Sequence, residues 1–251
     1  RSFNDFSNIA FRGNSYETLE AYARKVETRV DKKTRVETRT IISSPDELAA
    51  ATLEGFTVTE DMLGNYSQTT YGRTAPSRSS EETPDGLYHL HFVPKKLTRE
   101  VSAVLHIEGL NNIRSATCRL GGVAESIFLA TGKTSANTVT QEFTPSNPEF
   151  SPGSPFNGTL SCEFEIFGLN VIDNNNLHLD ALLVDGKTEF EGDCTNVKIT
   201  ENDDGTGSVT LILEASTEKV PDVKPEGGAG SGFDVDVDGW GNEINTDIPI
   251  N

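Results

Sequence analysis

From residue 87 onward the chain alternates apolar and polar side chains with a period of two, and this rhythm limits the fold more than any other feature. Tyr88, Leu90 and Phe92 share one phase, and His89 and His91 the other. Val101, Ala103, Leu105 and Ile107 repeat the pattern, as do Ala116, Cys118 and Leu120, before a short apolar run over residues 127–130. Later, Leu160, Cys162, Phe164 and Ile166 alternate with Ser161, Glu163 and Glu165. Leu177, Leu179, Ala181 and Leu183 follow, then Val209, Leu211 and Leu213. Successive side chains of a strand point to opposite faces, so these segments predict antiparallel strands with one face buried and one wet. Asp185-Gly186 and residues 202–207 (NDDGTG) fall between such runs and read as hairpin turns. Many short strands separated by Gly-, Pro- and Asn-rich turns predict an all-β sandwich or barrel.

Helical signals are few. Ser44-Pro45-Asp46-Glu47 precedes LAAATLE and Gly55. Ser44 and Glu47 can cap each other's amides, Pro45 suits a first turn and Gly55 a last one, so a helix of about three turns is expected. A second candidate begins at Asn14, with Leu19, Tyr22 and Val26 at helical spacing, and reads equally as extended chain. Residues 72–86 and 144–158 are polar, Pro-rich loops. Residues 219–232 form a Pro- then Gly-rich linker to a last short β-segment.

Charge divides the chain. Residues 1–138 carry 17 Lys and Arg against 17 Asp and Glu, whereas residues 139–251 carry 4 against 22, so the net charge of −18 lies wholly in the second half. This places a domain boundary near residue 138, giving domains 1–138 and 139–251. Such an acidic half repels phosphates, which argues against nucleic acid as a partner. It also suits an extracellular domain kept soluble and monomeric by its charge. No apolar run reaches the length of a membrane-spanning helix. The start at Arg1, without Met or a signal-like segment, reads as a trimmed fragment from which an export signal, if there was one, is missing.

Few residues suggest chemistry. Cys118, Cys162 and Cys194 show no CxxC spacing. A Cys162–Cys194 bridge suits an oxidising compartment and leaves one thiol over, whereas Cys118 and Cys162 fall on the apolar phase of their strands, and unpaired thiols are favoured. Asp234, Asp236, Asp238 and Gly239 imitate the start of a calcium-binding loop, but its twelfth position is Asn245. The same letters fit a hairpin in which Phe233, Val235 and Val237 face inward and Ile244 to Ile250 return. His89, His91 and His106 share a sheet face if residues 87–93 pair with 101–108, an arrangement able to hold zinc; solvated histidines are the commoner outcome. No nucleophile elbow, P-loop, zinc-protease or dinucleotide motif occurs. Glu163 and Glu165 share a strand face as in a glycosidase pair, yet read better as a solvated stripe. Arg24, Lys25, Arg29, Lys32, Lys33, Arg35 and Arg39 form either a polyanion or protease-sensitive patch or a face offset by Glu27, Asp31 and Glu37, and the second is favoured. No residue is assigned as catalytic, cofactor-binding or metal-binding.

Several stretches carry a family likeness in order along the chain. They are Asn8-Ile-Ala-Phe-Arg-Gly with Glu20-Ala-Tyr22, Val101-Ser-Ala-Val-Leu-His-Ile-Glu-Gly-Leu110, Leu120-Gly-Gly-Val-Ala-Glu-Ser126 and Phe128-Leu-Ala-Thr-Gly132. Then come Gln141-Glu-Phe-Thr144, Cys162-Glu-Phe-Glu-Ile-Phe-Gly168 and Gly232-Phe-Asp-Val-Asp-Val-Asp-Gly-Trp240. Together they resemble the fimbrillin-like lipoproteins of Bacteroidales, which include minor-fimbrium anchoring subunits, and within them a group of unknown function. The resemblance implies two transthyretin-like antiparallel β-sandwiches in tandem with one or two short helices. It also implies export as a lipoprotein, tethered to the outer membrane by an acylated cysteine upstream of Arg1. Partners would be other fimbrial subunits, joined by strand addition, with the tail from Phe233 to Ile250 as the closing or donated strand. The alternative is a lone surface lipoprotein whose polar loops bind a glycan or a host matrix protein, stiffened by calcium at Asp234, Asp236 and Asp238.

Overall fold

The computed structural model describes residues 6–30, 37–53, 55–58, 90–170, 175–203 and 209–225. The described chain is all-β. Its strands are β1 (Ile9–Arg12), β2 (Glu20–Ala23), β3 (Lys25–Val30), β4 (Glu37–Ile42), β5 (Ala49–Ala50), β6 (Lys95–Lys96), β7 (Arg99–Ile107) and β8 (Ile113–Ala124). They continue as β9 (Ser126–Phe128), β10 (Thr138–Phe143), β11 (Asn147–Phe150), β12 (Gly158–Ile166), β13 (Leu177–Leu183), β14 (Glu189–Asp193), β15 (Thr195–Asp203) and β16 (Val209–Ser216). One six-stranded sheet runs β14-β13-β8-β10-β4-β3 and one five-stranded sheet runs β11-β12-β7-β16-β15. A three-stranded sheet, β1-β2-β9, and the pair β5-β6 complete it.

From Val101 onward, the period-two segments bury most of the residues their phase predicts. Val101, Ala103, Leu105 and Ile107 of β7, with Leu160, Phe164 and Ile166 of β12 and Leu211, Leu213 and Ala215 of β16, face one way. Ala116, Cys118 and Leu120 of β8 and Leu177, Leu179, Ala181 and Leu183 of β13 face them, and the two sets form one apolar core between the sheets. Phe143 and Phe164 stack across it at 4.2 Å. A second, smaller core packs Ile9, Ala21, Ala23 and Ile127 of the three-stranded sheet against Ile42, Ala124 and Val139, with Leu48 and Phe167. At twelve residues β8 reaches both cores, Val123 lying in the first and Ala124 in the second.

The boundary expected at residue 138 needs correction. Thr138 is the first residue of β10, and strands from either side of it alternate in both large sheets. In the five-stranded sheet β7 lies between β12 and β16, and in the six-stranded sheet β8 lies between β13 and β10. Two cores exist, but shared strands link them, so the fold is not a tandem of domains cut at 138. The charge asymmetry follows outward-facing side chains and loops and says nothing about which strands pair. Nor is the pairing wholly antiparallel, because β16 runs parallel to β7 and β10 parallel to β4.

The helix expected from Ser44 does not form. Ser44 Oγ instead accepts the amide of Glu165 and donates to its carbonyl, both at 3.0 Å, and Asp46 Oδ2 accepts the Asn8 amide at 2.8 Å. The capping side chains are engaged by distant strands, and residues 49–50 enter a strand. The second helix candidate is extended, with a turn over residues 15–18 leading into β2. The only helical turn among the described residues is a 3-10 turn at Leu110–Asn112. No helix among them is long and apolar enough to cross a membrane.

Both predicted hairpins form. Asp185 Oδ1 accepts the amides of Lys187 and Thr188 at 3.0 and 2.9 Å, and Gly186 takes φ 68° between β13 and β14. β15 and β16 pair antiparallel up to Asp203 opposite Val209, and residues 204–207 of the expected turn lie outside the described residues.

Candidate functional site

Among the described residues, part of β8 inside the six-stranded sheet lacks a strand on one side. β10 pairs with β8 from Thr138 opposite Ala124 to Phe143 opposite Cys118. Beyond Phe143 it crosses to the other sheet, where Asn147–Phe150 pairs with β12. Residues 113–117 of β8 therefore pair with β13 on one side and have no described strand on the other. Alternate residues there direct their backbone N–H and C=O groups toward that edge, the others bonding β13. A groove of about 430 Å³ opens beside it, lined by Leu110, Ile113, Ala116, Pro145, Pro148, Phe150 and Leu160, with exposed Arg114, Ser115 and Ser146.

Sequence explains why the edge stays open. Pro145 lacks the amide a continuing strand would need, and the chain turns away there toward β11. Gly158 lets β11 settle closely on β12, because a Cβ there would meet Glu149 O at 2.2 Å and Phe150 Cα at 2.9 Å. β11 is thereby held as one wall of the groove, with Phe150 48% exposed beside it. Two of the sheets' outer edges differ in character. β14 reads EFEGD and β15 reads TNVKITEND, and such charged edges discourage pairing with another chain.

A polar lattice runs across the outer face of β14, β13, β8 and β10, on the side away from the core. Register sets Asp193 opposite His178, His178 opposite Arg119, and Arg119 opposite Glu142. Arg119 Nε donates to Glu142 Oε2 at 3.0 Å, and its Nη1 contacts Asp180 Oδ2. His178 Nδ1 lies 2.9 Å from Asp193 Oδ1, and its Nε2 lies 3.2 Å from Asp180 Oδ1. His178, Asp180 and Glu191 present ligand atoms within 4.8 Å of one another.

A cleft of about 340 Å³ lies between the two cores, bordered by Lys96, Arg99, Glu100, Glu201, Thr134 and Phe167. Its charges are largely matched: Arg99 pairs with Glu201 at 2.9 Å, and Lys96 with Glu165 at 2.7 Å.

The residues singled out in the sequence fare unevenly. Residues 90–93 form no strand, and Leu90, Phe92 and Val93 are exposed, because β12 and β16 already occupy both sides of β7. The pairing that a three-histidine zinc site needs is thus missing; His106 sits opposite Thr159 and Ser216, and His89 lies outside the described residues. Asp234, Asp236 and Asp238, the linker over 227–232 and the tail from Phe233 to Ile250 also lie outside them. Glu163 is exposed, whereas Glu165 is engaged by Lys96. The basic stretch includes β3 and β4, a hairpin whose outer strand ends the six-stranded sheet. All three cysteines are free. Burial pushes the Cys118 thiol well up and those of Cys162 and Cys194 up to about 11, so none is poised as a thiolate nucleophile.

The His178 cluster escaped the sequence reading, although its signal was present. His178-x-Asp180 and Glu191-x-Asp193 flank the Asp185-Gly186 turn, and i, i+2 pairs on two hairpin strands share one face.

A family model described as Domain of unknown function (DUF5119) matches residues 2–144, more than half of the chain. The chain belongs to the DUF5119 family. No curated protein matches it. Among solved structures, this DUF5119 chain is similar to that of a candidate adhesin from Bacteroides ovatus, at 15% identity and a TM-score of 0.42. The likeness covers 74% of this chain and 61% of that one, so the chain spans less than two thirds of that protein.

Proposed function

We propose that this DUF5119 protein is a fimbrial-type surface adhesion or assembly subunit that works by binding through strand addition rather than by catalysis. The open edge of β8 at residues 113–117, beside its apolar groove, carries the reading. An extended segment laid there would gain main-chain hydrogen bonds along β8 and place alternate side chains against Ile113, Ala116 and Leu160. The acidic β14 and β15 edges would steer such a segment away from two other places where a strand could join. Partners in this account are other surface subunits that lend a strand, or a second copy lending its tail from Phe233 to Ile250. Export as an outer-membrane lipoprotein fits the same role and rests on the family resemblance of the stretches quoted above.

The test is binding of a synthetic peptide of residues 233–250 to the chain ending at residue 226, followed by fluorescence anisotropy. Saturable binding that is lost in Phe150→Asp and Ile113→Asp supports the reading. Absence of binding, together with unchanged fibres in electron micrographs of cells lacking the gene, refutes it.

A further inference from the structure

We propose that His178, Asp180 and Glu191 form a site for a divalent ion of the zinc class on the outer face of the β13–β14 hairpin. This goes beyond the strand-addition reading and does not depend on it. The donor set is one imidazole and two carboxylates, a combination suited to zinc-like ions, whereas calcium favours oxygen alone. All three ligand atoms lie within 4.8 Å of one another. His178 Nε2 and Asp180 Oδ1 are 3.2 Å apart, close to the edge of about 3.4 Å of a tetrahedron with bonds near 2.1 Å.

The orphaned Asp180 oxygen makes this more than a group of acids. Asp180 Oδ1 is shut from solvent and has no hydrogen-bond partner, although Nε2 is near, so ring nitrogen and carboxylate are close without being aligned as donor and acceptor. A buried carboxylate oxygen left unpaired is costly, and a shared cation would relieve it. The surroundings hold the ligands in place. Asp193 Oδ1 sits 2.9 Å from His178 Nδ1, the placement by which a carboxylate fixes the tautomer that leaves Nε2 free to ligate. Arg119 occupies the other oxygen of Asp180 and is itself shared with Glu142. One guanidinium among Asp180, Glu142, Glu191 and Asp193 leaves the patch net negative, as a dication requires. Glu191 is exposed, so a further coordination position opens toward solvent.

The test is calorimetric titration of the untagged, chelator-treated full chain with zinc. One ion per chain is expected, with affinity lowered at least about tenfold in His178→Asn and in Glu191→Gln, and about 10- to 100-fold in Asp193→Asn. Glu189→Gln, an exposed change on the same strand, should leave affinity unchanged. Because Glu191 is exposed, its variant tests the site even if the His178 change disturbs folding. No saturable uptake, or uptake undiminished in both His178→Asn and Glu191→Gln, overturns the proposal. So does displacement of zinc by calcium at equal concentration.

Discussion

Ending the chain after residue 144 removes every strand that flanks β7, and with it the partner of one long edge of β8. β7 loses its pairing with Gly158–Ile166 and with residues 211–216, and β8 loses Leu177–Leu183. Within the shortened chain Val101, Leu105, Ile107, Leu110 and Leu120 lose the side chains that cover them, since their core is completed by β12, β13 and β16. Burying such a side chain stabilises by roughly 1.5–3 kcal/mol, so these five alone account for about 8–15 kcal/mol. That equals the whole stability of an ordinary domain, about 5–15 kcal/mol. The region matched by the family model, residues 2–144, is therefore expected to be no independent folding unit. Residues 1–225, which keep every described strand, should melt cooperatively by circular dichroism, whereas residues 1–144 should not and should be cut rapidly by protease. A sharp melt of residues 1–144, with β7 amides protected from hydrogen exchange, would refute the interleaved pairing.

Two further changes test the groove wall and the buried thiols. In Gly158→Ala the new methyl would collide with Glu149 O and the Phe150 backbone. Overpacking of this kind costs about 1–3 kcal/mol, which corresponds to a melting temperature roughly 2–12 °C lower. A melt within a degree of the parent would show that β11 does not lie against β12 as described. The thiols of Cys162 and Cys194 hold their protons to about 11 in the folded chain against an ordinary value of 9.0. Unfolded thiols release protons first, so their contribution is intact below about pH 9 and is lost as pH rises toward 11. Replacing both with Ala should flatten the fall in melting temperature over that window, and an equal slope would count against burial as the cause. Cys118, buried in the main core, should resist alkylation until the chain unfolds.

The faces of the strands were legible in the sequence, and their neighbours were not. Alternation in β7, β12, β13 and β16 reports which side chains enter a core, because each of these strands has one face on it. It carries no information on the strand alongside, which is why β16 could lie parallel to β7 and why a boundary at 138 looked natural. Local signals failed where distant groups outbid them. Ser44 resembles a helix cap but spends its hydroxyl on both backbone groups of Glu165, 121 residues away. The groove needed the point at which β10 quits β8, a fact of topology that Pro145 only hints at.

The groove and the proposed ion site lie on opposite sides of β8 and separate cleanly in their chemistry. Thr117 lies opposite Asp180, so the strand whose free edge would receive a partner is held on its other edge by the strand that bears His178 and Asp180. The groove is lined partly by Ala116 and Leu160, which face the core, whereas the ligands project from the outer face. An ion there would tie β13 to β14 and stiffen the edge hairpin without touching any groove residue. Zinc should therefore raise the melting temperature while leaving the affinity for the 233–250 peptide unchanged. The reverse outcome, peptide affinity that follows zinc while stability does not, would mean that the ion and the added strand share one site.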